Sequence, residues 1–307
     1  MSGEASRSTS SGDGRPDLTK VFVWSMPRTL STAFLKCMSY AEGIQIFNEP
    51  FVCAYHFGPE AVMKPSAELE SFVNISSSNE MQLENAFDDG MCTFAWAKQE
   101  LEANYAGKKI LLVKDQAFCL DNRYELIPSG FRHAFLIRHP YRVLPSLKNM
   151  MAKMFRVDSD STTWSEVTKY NIFENLHLNQ YNLLKYIKDN VDPNTIVFDA
   201  DDLQSNPGSM LSQFCQAVGI EYNADLLQWP ADRDIIKSWK AGRFGIQGNL
   251  LEKEGGFYDG ALMSTGFKSP KPLPSREDLL PDLQTLADES MPYYEEMLKM
   301  CIGLKPA

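Results

Sequence analysis

The stretch KVFVWSMPRTLST, residues 20–32, sets the architecture of the chain. Lys20–Trp24 is a run of β-branched and aromatic residues, the composition of a buried strand. The loop Ser25-Met26-Pro27-Arg28-Thr29-Leu30 breaks the run, and a helical pattern follows from Ser31 to about Ala41. A strand, a short loop and a helix in that order offer backbone N–H groups and a helix N-terminus to an anion. Arg28 adds a fixed charge and a donor fork suited to phosphate or sulfate oxygens. Thr29, Ser31 and Thr32 add hydroxyl groups. A nucleotide-hydrolysing loop would read GxxxxGK(S/T). This loop has no glycine and carries arginine in place of lysine. The same residues also fit a plain strand–turn–helix, with Ser31 as N-cap and Pro27 stiffening the turn.

Outward from this stretch, short apolar runs alternate with longer amphipathic ones, the signature of a parallel sheet covered by helices. Ile44–Phe47, Ile110–Val113, His133–Ile137 and Thr195–Phe198 are expected as further strands. Helices are expected near residues 80–104, over Tyr141–Met154, as one long helix over Trp164–Asn190, over Pro207–Val218 and over 282–301. Pro207 suits a first helical turn and Gly219 the position just past a helix end. Residues 230–275 carry many glycines and prolines and read as an irregular segment over the sheet's edge. The expected fold is α/β in three layers, with a mainly parallel central sheet of about five strands flanked by helices. No repeat or internal linker is evident, so residues 19–303 are expected as a single domain behind a disordered tail at 1–18.

Thirty Lys and Arg against 40 Asp and Glu give a net charge of −10 among 307 residues, which excludes a nucleic-acid binder or a polyanionic acceptor. The six cysteines form no CxxC pair, which argues against zinc and for reduced, mostly buried thiols. No run approaches the ~20 apolar residues of a membrane span. Residues 2–14 lack the apolar core of a leader peptide. The expected location is the cytoplasm, with no membrane partner.

A second anion site is suggested by RHPYRVLPS, residues 138–146. Arg138 would stand at the carboxyl end of a strand, where ligands bind open α/β sheets, and Ser146 in the helix beyond. Together the two loops resemble the sulfotransferase superfamily, whose members use 3′-phosphoadenosine 5′-phosphosulfate (PAPS). That family holds the 5′-phosphosulfate in a loop P-(K/R)-(S/T)-x-(S/T)-T and the 3′-phosphate with R-x-P-x-x-x-x-x-S. The chain gives PRTLST and RHPYRVLPS in the same order and spacing. Asn48-Glu49-Pro50-Phe51 looks like the EP motif of several branches. Val113-Lys114-Asp115 is similar to the lysine-bearing strand end. DADDLQSNPGSMLSQFCQAVGI (199–220) and Ser264-Thr265-Gly266-Phe267 resemble later segments of the family.

The resemblance implies a P-loop-like sulfotransferase fold and transfer of a sulfuryl group from PAPS to a hydroxyl or amine of a small-molecule acceptor. Adenosine 3′,5′-bisphosphate would be the product, no metal would be needed, and there is room for a homodimer. By resemblance Arg28, Thr29, Leu30, Ser31 and Thr32 would bind the phosphosulfate, and Arg138 and Ser146 the 3′-phosphate. Arg28 and Lys114 would meet charge on the bridging oxygen.

The chain departs from the well-known cytosolic members at Leu30, where they have glycine, and at Arg28, where they have lysine. Their K-(T/S)-H reads Lys114-Asp115-Gln116 here, so the histidine base is missing. A base must still take the acceptor's proton. Glu49, expected just after a strand beside the phosphate loop, is the first candidate and Asp115 the second. Either also fits a plain ion pair or turn carboxylate. His56 reads as a pocket histidine and His139 as part of a turn. Asp199, Asp201 and Asp202 fit helix caps, Trp164, Phe173 and Tyr181 the core, and Lys268 and Lys271 the solvated surface. Two other readings stay open: a P-loop nucleotide kinase or NTPase, and a non-catalytic nucleotide-binding member of the same fold.

Overall fold

The computed structural model describes residues 18–62, 83–155, 157–168, 173, 175–243, 245–246 and 258–303. Seven strands are present there: Thr19–Ser25 (β1), Ile44–Asn48 (β2), Ala86–Phe87 (β3), Ile110–Gln116 (β4), Arg132–Ile137 (β5), Ile196–Asp199 (β6) and Lys240–Gly242 (β7). They form one sheet in the order β3-β7-β2-β4-β1-β5-β6. Every pairing is parallel. The helices are Ser31–Met38 (α1), Pro50–His56 (α2), Phe94–Glu102 (α3), Pro140–Phe155 (α4), Trp164–Thr168 (α5), Leu176–Asn190 (α6), Ala200–Ser205 (α7), Pro207–Val218 (α8), Asp259–Leu262 (α9) and Pro281–Leu298 (α10).

Strand periodicity of two builds the layers. In β1, Phe22 and Trp24 point to one core while Val21 and Val23 point to the other. The same split divides Leu111 and Val113 from Ile110 and Leu112 in β4, and Phe135 and Ile137 from Ala134 and Leu136 in β5. The first face is covered by α2 to α6 and α10, and the second by α1, α7, α8 and α9. A sheet of parallel strands needs cover on both faces, which is why its central strands read as unbroken apolar runs. Among the described residues no helix is long and apolar enough to cross a membrane.

The five expected strands are all present, and β3 and β7 are additions. β7 lies inside the stretch expected to be irregular, where Lys240-Ala241-Gly242 is too short to show a pattern. The long helix expected over Trp164–Asn190 is two. α5 ends at Thr168, and α6 starts after Asn175, whose φ of 58° no helix contains. Pro207 opens α8, and Gly219 closes it with φ 77°. Ser31 is not an N-cap: Leu30 occupies that position and Ser31 is the first helical residue. The helical region expected at 80–104 reduces to α3 after the short β3, with 80–82 outside the described residues. The expected tail at 1–18 lies, except for Leu18, outside them as well.

Candidate active site

Because all strands run the same way, β1, β2, β4, β5 and β6 end on one edge, and the groups singled out in the sequence follow those ends. Ser25 pairs with Gln116, and its hydroxyl donates to the Asp115 carbonyl at 3.1 Å, so the loop after β1 leaves the sheet directly beside the end of β4. β2 is not the neighbour of β1. β4 stands between them, which corrects the expectation that Glu49 follows a strand next to the loop.

The loop is held in an unusual backbone. Arg28 has φ 69° and Leu30 φ 63°, left-handed values that cost a non-glycine residue roughly 1–2 kcal/mol each. Thr29 is buried and donates its hydroxyl to the Met26 carbonyl at 2.9 Å, so it braces the turn from within. Among the described residues no side chain caps α1, and its first turn carries no acidic residue, so its orphan N–H groups meet no competing negative charge from the helix itself. Ser31 is buried at this helix start and Thr32 partly so. Leu30 stands where a glycine is expected from the resemblance, and its φ is the physical reason glycine suits the position. Leu30→Ile keeps volume and apolarity but adds β-branching at positive φ. It is expected to lower unfolding stability by about 1–3 kcal/mol, read from denaturant midpoints.

The two loops meet. Arg28 Nε donates to Ser146 Oγ at 2.9 Å, and Arg138 Nη1 donates to the Arg28 carbonyl at 2.8 Å. Ser146, expected to share a phosphate with Arg138, is thus engaged by Arg28 here. Burial, and then the charge of Arg138, holds the Arg28 guanidinium below its ordinary pKa. Arg138 is likewise lowered by burial, with Asp201 opposing. Asp201 accepts from Arg142 Nε at 2.6 Å and faces Arg138 Nε at 3.7 Å. Asp199 caps α7 by accepting from the Asp201 amide at 2.7 Å, as expected of a capping carboxylate. Arg142, in the first turn of α4, is a further charged group here; it and Arg138, from the loop before the helix, both face Asp201.

On the other side of the β1 end, Lys114 and Glu49 form a largely buried ion pair. Glu49 caps α2 with φ 61°, and its amide donates to the Lys114 carbonyl at 2.8 Å. Glu49 Oε1 accepts from Lys114 Nζ and from Gln116 Nε2 at 2.7 Å, and Oε2 accepts from the Tyr258 hydroxyl at 2.5 Å. Burial acts to raise the Glu49 carboxyl. The Lys114 charge and the hydrogen bonds from Lys114, Tyr258 and Gln116 outweigh it and hold the group below the ordinary range.

Asp115 points to the opposite face. Its oxygens accept from the amides of Phe51 at 2.6 Å, Val52 at 3.3 Å and Gln116 at 2.7 Å. Burial and then the Glu49 charge push its carboxyl up to about 8, against the pull of those amides. This geometry makes Asp115 a clamp on the start of α2. Burial drives His56 down to about 4, and His139 lies against Tyr141 and Tyr294. Trp164 is in the core, with Phe173 and Tyr181 packed against it. Lys268 and Lys271 are exposed and contribute only backbone carbonyls, to Gln204 and Arg142. Tyr258 was not legible beforehand, since a single tyrosine in a glycine-rich stretch carries no spacing.

A family model described as a sulfotransferase domain matches residues 114–300, more than half of the chain. Two curated relatives from Arabidopsis thaliana are branched-chain-amino-acid aminotransferase-like proteins 2 and 1. They are 22% and 24% identical over 280 and 277 residues, 89% of this chain in each case. The chain spans about 40% of the length of each. Among solved structures, the sulfotransferase domain of the curacin biosynthetic pathway is 17% identical, covering 88% of this chain and 96% of its own, with a TM-score of 0.43. A mouse sulfotransferase complexed with PAP is 10% identical, covering 94% and 91%, with a TM-score of 0.44. Retinol dehydratase with retinol and PAP is 13% identical, covering 95% and 84%, with a TM-score of 0.40. On the extent of the family match, this chain belongs to the sulfotransferase family.

Proposed function

We propose that the protein transfers a sulfuryl group from PAPS to a hydroxyl or amine of a small molecule and releases adenosine 3′,5′-bisphosphate. The observation that carries this reading is the meeting of Arg28 and Arg138 at the edge of the sheet. Burial lowers the pKa of both guanidinium groups, and the charge of Arg138 lowers that of Arg28 further; an anion between them would offset that cost. Arg28, Leu30, Ser31 and Thr32, with the amides of the loop and α1, would hold the phosphosulfate. Arg138 would grip the 3′-phosphate, with Ser146 orienting Arg28 as well as contacting the nucleotide. Lys114 would face the bridging oxygen, and Glu49 would take the acceptor's proton. Sulfuryl transfer is an in-line displacement, so these groups act mainly by positioning and by meeting developing charge.

The experiment is a thermal-shift assay in EDTA. Adenosine 3′,5′-bisphosphate at 100 times its Kd is expected to add about 2.7 kcal/mol of stability, with ATP and GTP acting weakly. Equal shifts with ATP, or a shift that requires Mg²⁺, would favour a nucleotide kinase. A non-catalytic member would bind the bisphosphate and yet yield no +SO₃ product when PAPS is incubated with a metabolite pool and read by mass spectrometry.

A further inference from the structure

Tyr258 reaches the Lys114–Glu49 pair from a distant part of the chain. Its hydroxyl donates to Glu49 Oε2 at 2.5 Å and accepts from Asn48 Nδ2 at 3.5 Å, and Lys114 Nζ lies 5.8 Å from its ring centroid. The backbone behind it is pinned. The amides of Ala261 and Leu262 both donate to the Tyr258 carbonyl. The Leu262 carbonyl receives Lys36 Nζ from α1, and Asp259 pairs with Arg233 at 2.7 Å. The helix that begins at the phosphate loop therefore anchors the segment that carries the tyrosine.

A carboxylate has about four lone-pair directions. Oε1 of Glu49 uses two, for Lys114 and Gln116, and Oε2 uses one, for Tyr258. Among the described residues the fourth direction, on Oε2, has no partner. We propose that Tyr258 is a positioning residue for proton transfer: it fixes Glu49 so that the acceptor's hydroxyl approaches Oε2, and its donated hydrogen bond keeps the carboxylate ionised until the acceptor docks. This rests on the reading of Glu49 as the base.

In the step, the acceptor O–H bond breaks and its proton passes to Glu49 Oε2. The oxygen's electron pair forms the new O–S bond as the bridging S–O bond breaks. The bridging pair departs on the 5′-phosphate of adenosine 3′,5′-bisphosphate. Tyr258 keeps its proton throughout, since burial and then the Glu49 charge push its hydroxyl up. The other titratable groups acting on Glu49 or feeling its charge are Lys114 and Asp115 from β4, Cys119 just beyond it, and His56 from α2.

The test is Tyr258→Phe in the full chain. The Glu49 carboxyl is followed by ¹³C NMR titration, its resonance assigned by loss in Glu49→Gln, so this arm needs no acceptor. Turnover is read with PAPS and p-nitrophenol, and nucleotide affinity by calorimetry with adenosine 3′,5′-bisphosphate. Expected are a Glu49 titration displaced to higher pH, unchanged nucleotide affinity and a kcat lower by about 10- to 100-fold. A Glu49 titration that stays where the wild type has it overturns the proposal. So does a loss of nucleotide affinity and thermal stability together, which marks a packing residue. If Glu49→Gln turns over like the wild type, the assignment of the base has failed, a result visible without the tyrosine variant.

Discussion

Glu49→Gln is expected to lower kcat by about 10²–10⁴-fold while leaving PAPS binding nearly unchanged. That range corresponds to roughly 3–5 kcal/mol of transition-state stabilisation. The substitution keeps the shape of the side chain and an oxygen for the Tyr258 hydroxyl, but removes the negative charge and the proton acceptor. The usual histidine position is Gln116, which donates to Glu49 instead of serving as a base. With Glu49 as the base, its lowered pKa is expected to give an acid limb: activity present above that pKa and lost as the pH falls through it. Steady-state kinetics on Glu49→Gln and Asp115→Asn separate the candidates. Wild-type turnover in the first with loss in the second would make Asp115 the base. Loss of folding stability alone in both would leave Glu49 as an ion-pair partner and nothing more.

Arg28→Ala is expected to damage turnover by about 10²–10³-fold, the effect of removing one donor aimed at developing charge. Arg138→Ala is expected to act chiefly on binding, because a phosphate that does not react is held equally in ground and transition states. A lost charge-assisted contact costs roughly 1.5–3 kcal/mol, or about 10- to 150-fold in Kd. The Arg138 hydrogen bond to the Arg28 carbonyl adds a refinement. Without it the loop loses a brace, so kcat in Arg138→Ala should also fall, by less than in Arg28→Ala. Calorimetry with adenosine 3′,5′-bisphosphate and steady-state kinetics decide the matter. The reverse ordering would mean the two roles are exchanged.

The strands that were legible in the sequence are those whose burial on both faces demands unbroken apolar runs, as in Val21–Trp24 and Leu111–Val113. β3 and β7, two and three residues long, are paired by their place in the sheet and not by composition. The break before α6 was hidden because Asn175 turns the chain without disturbing the apolar spacing around it. Strand order was beyond reach of local pattern, and with it the neighbour of Glu49. The motif residues were legible because each loop's chemistry is written in consecutive residues. Their partners were not: that Arg28 takes Ser146, or that Tyr258 returns to Glu49 across 209 positions, follows from packing between distant elements.

The clamp that Asp115 places on Phe51 and Val52 also governs how this edge opens. A helix of seven residues does not persist by itself, so α2 draws its order from the strand that holds its first amides and from the aromatic core beneath. Opening the helix costs those two hydrogen bonds as well as the aromatic packing, while β4 stays paired on both sides within the sheet. Glu49 sits at the start of that helix and Lys114 immediately before the clamp. An opening of α2 that draws the carboxylate away from Lys114 must therefore also undo the hold of Asp115 on the helix's first amides.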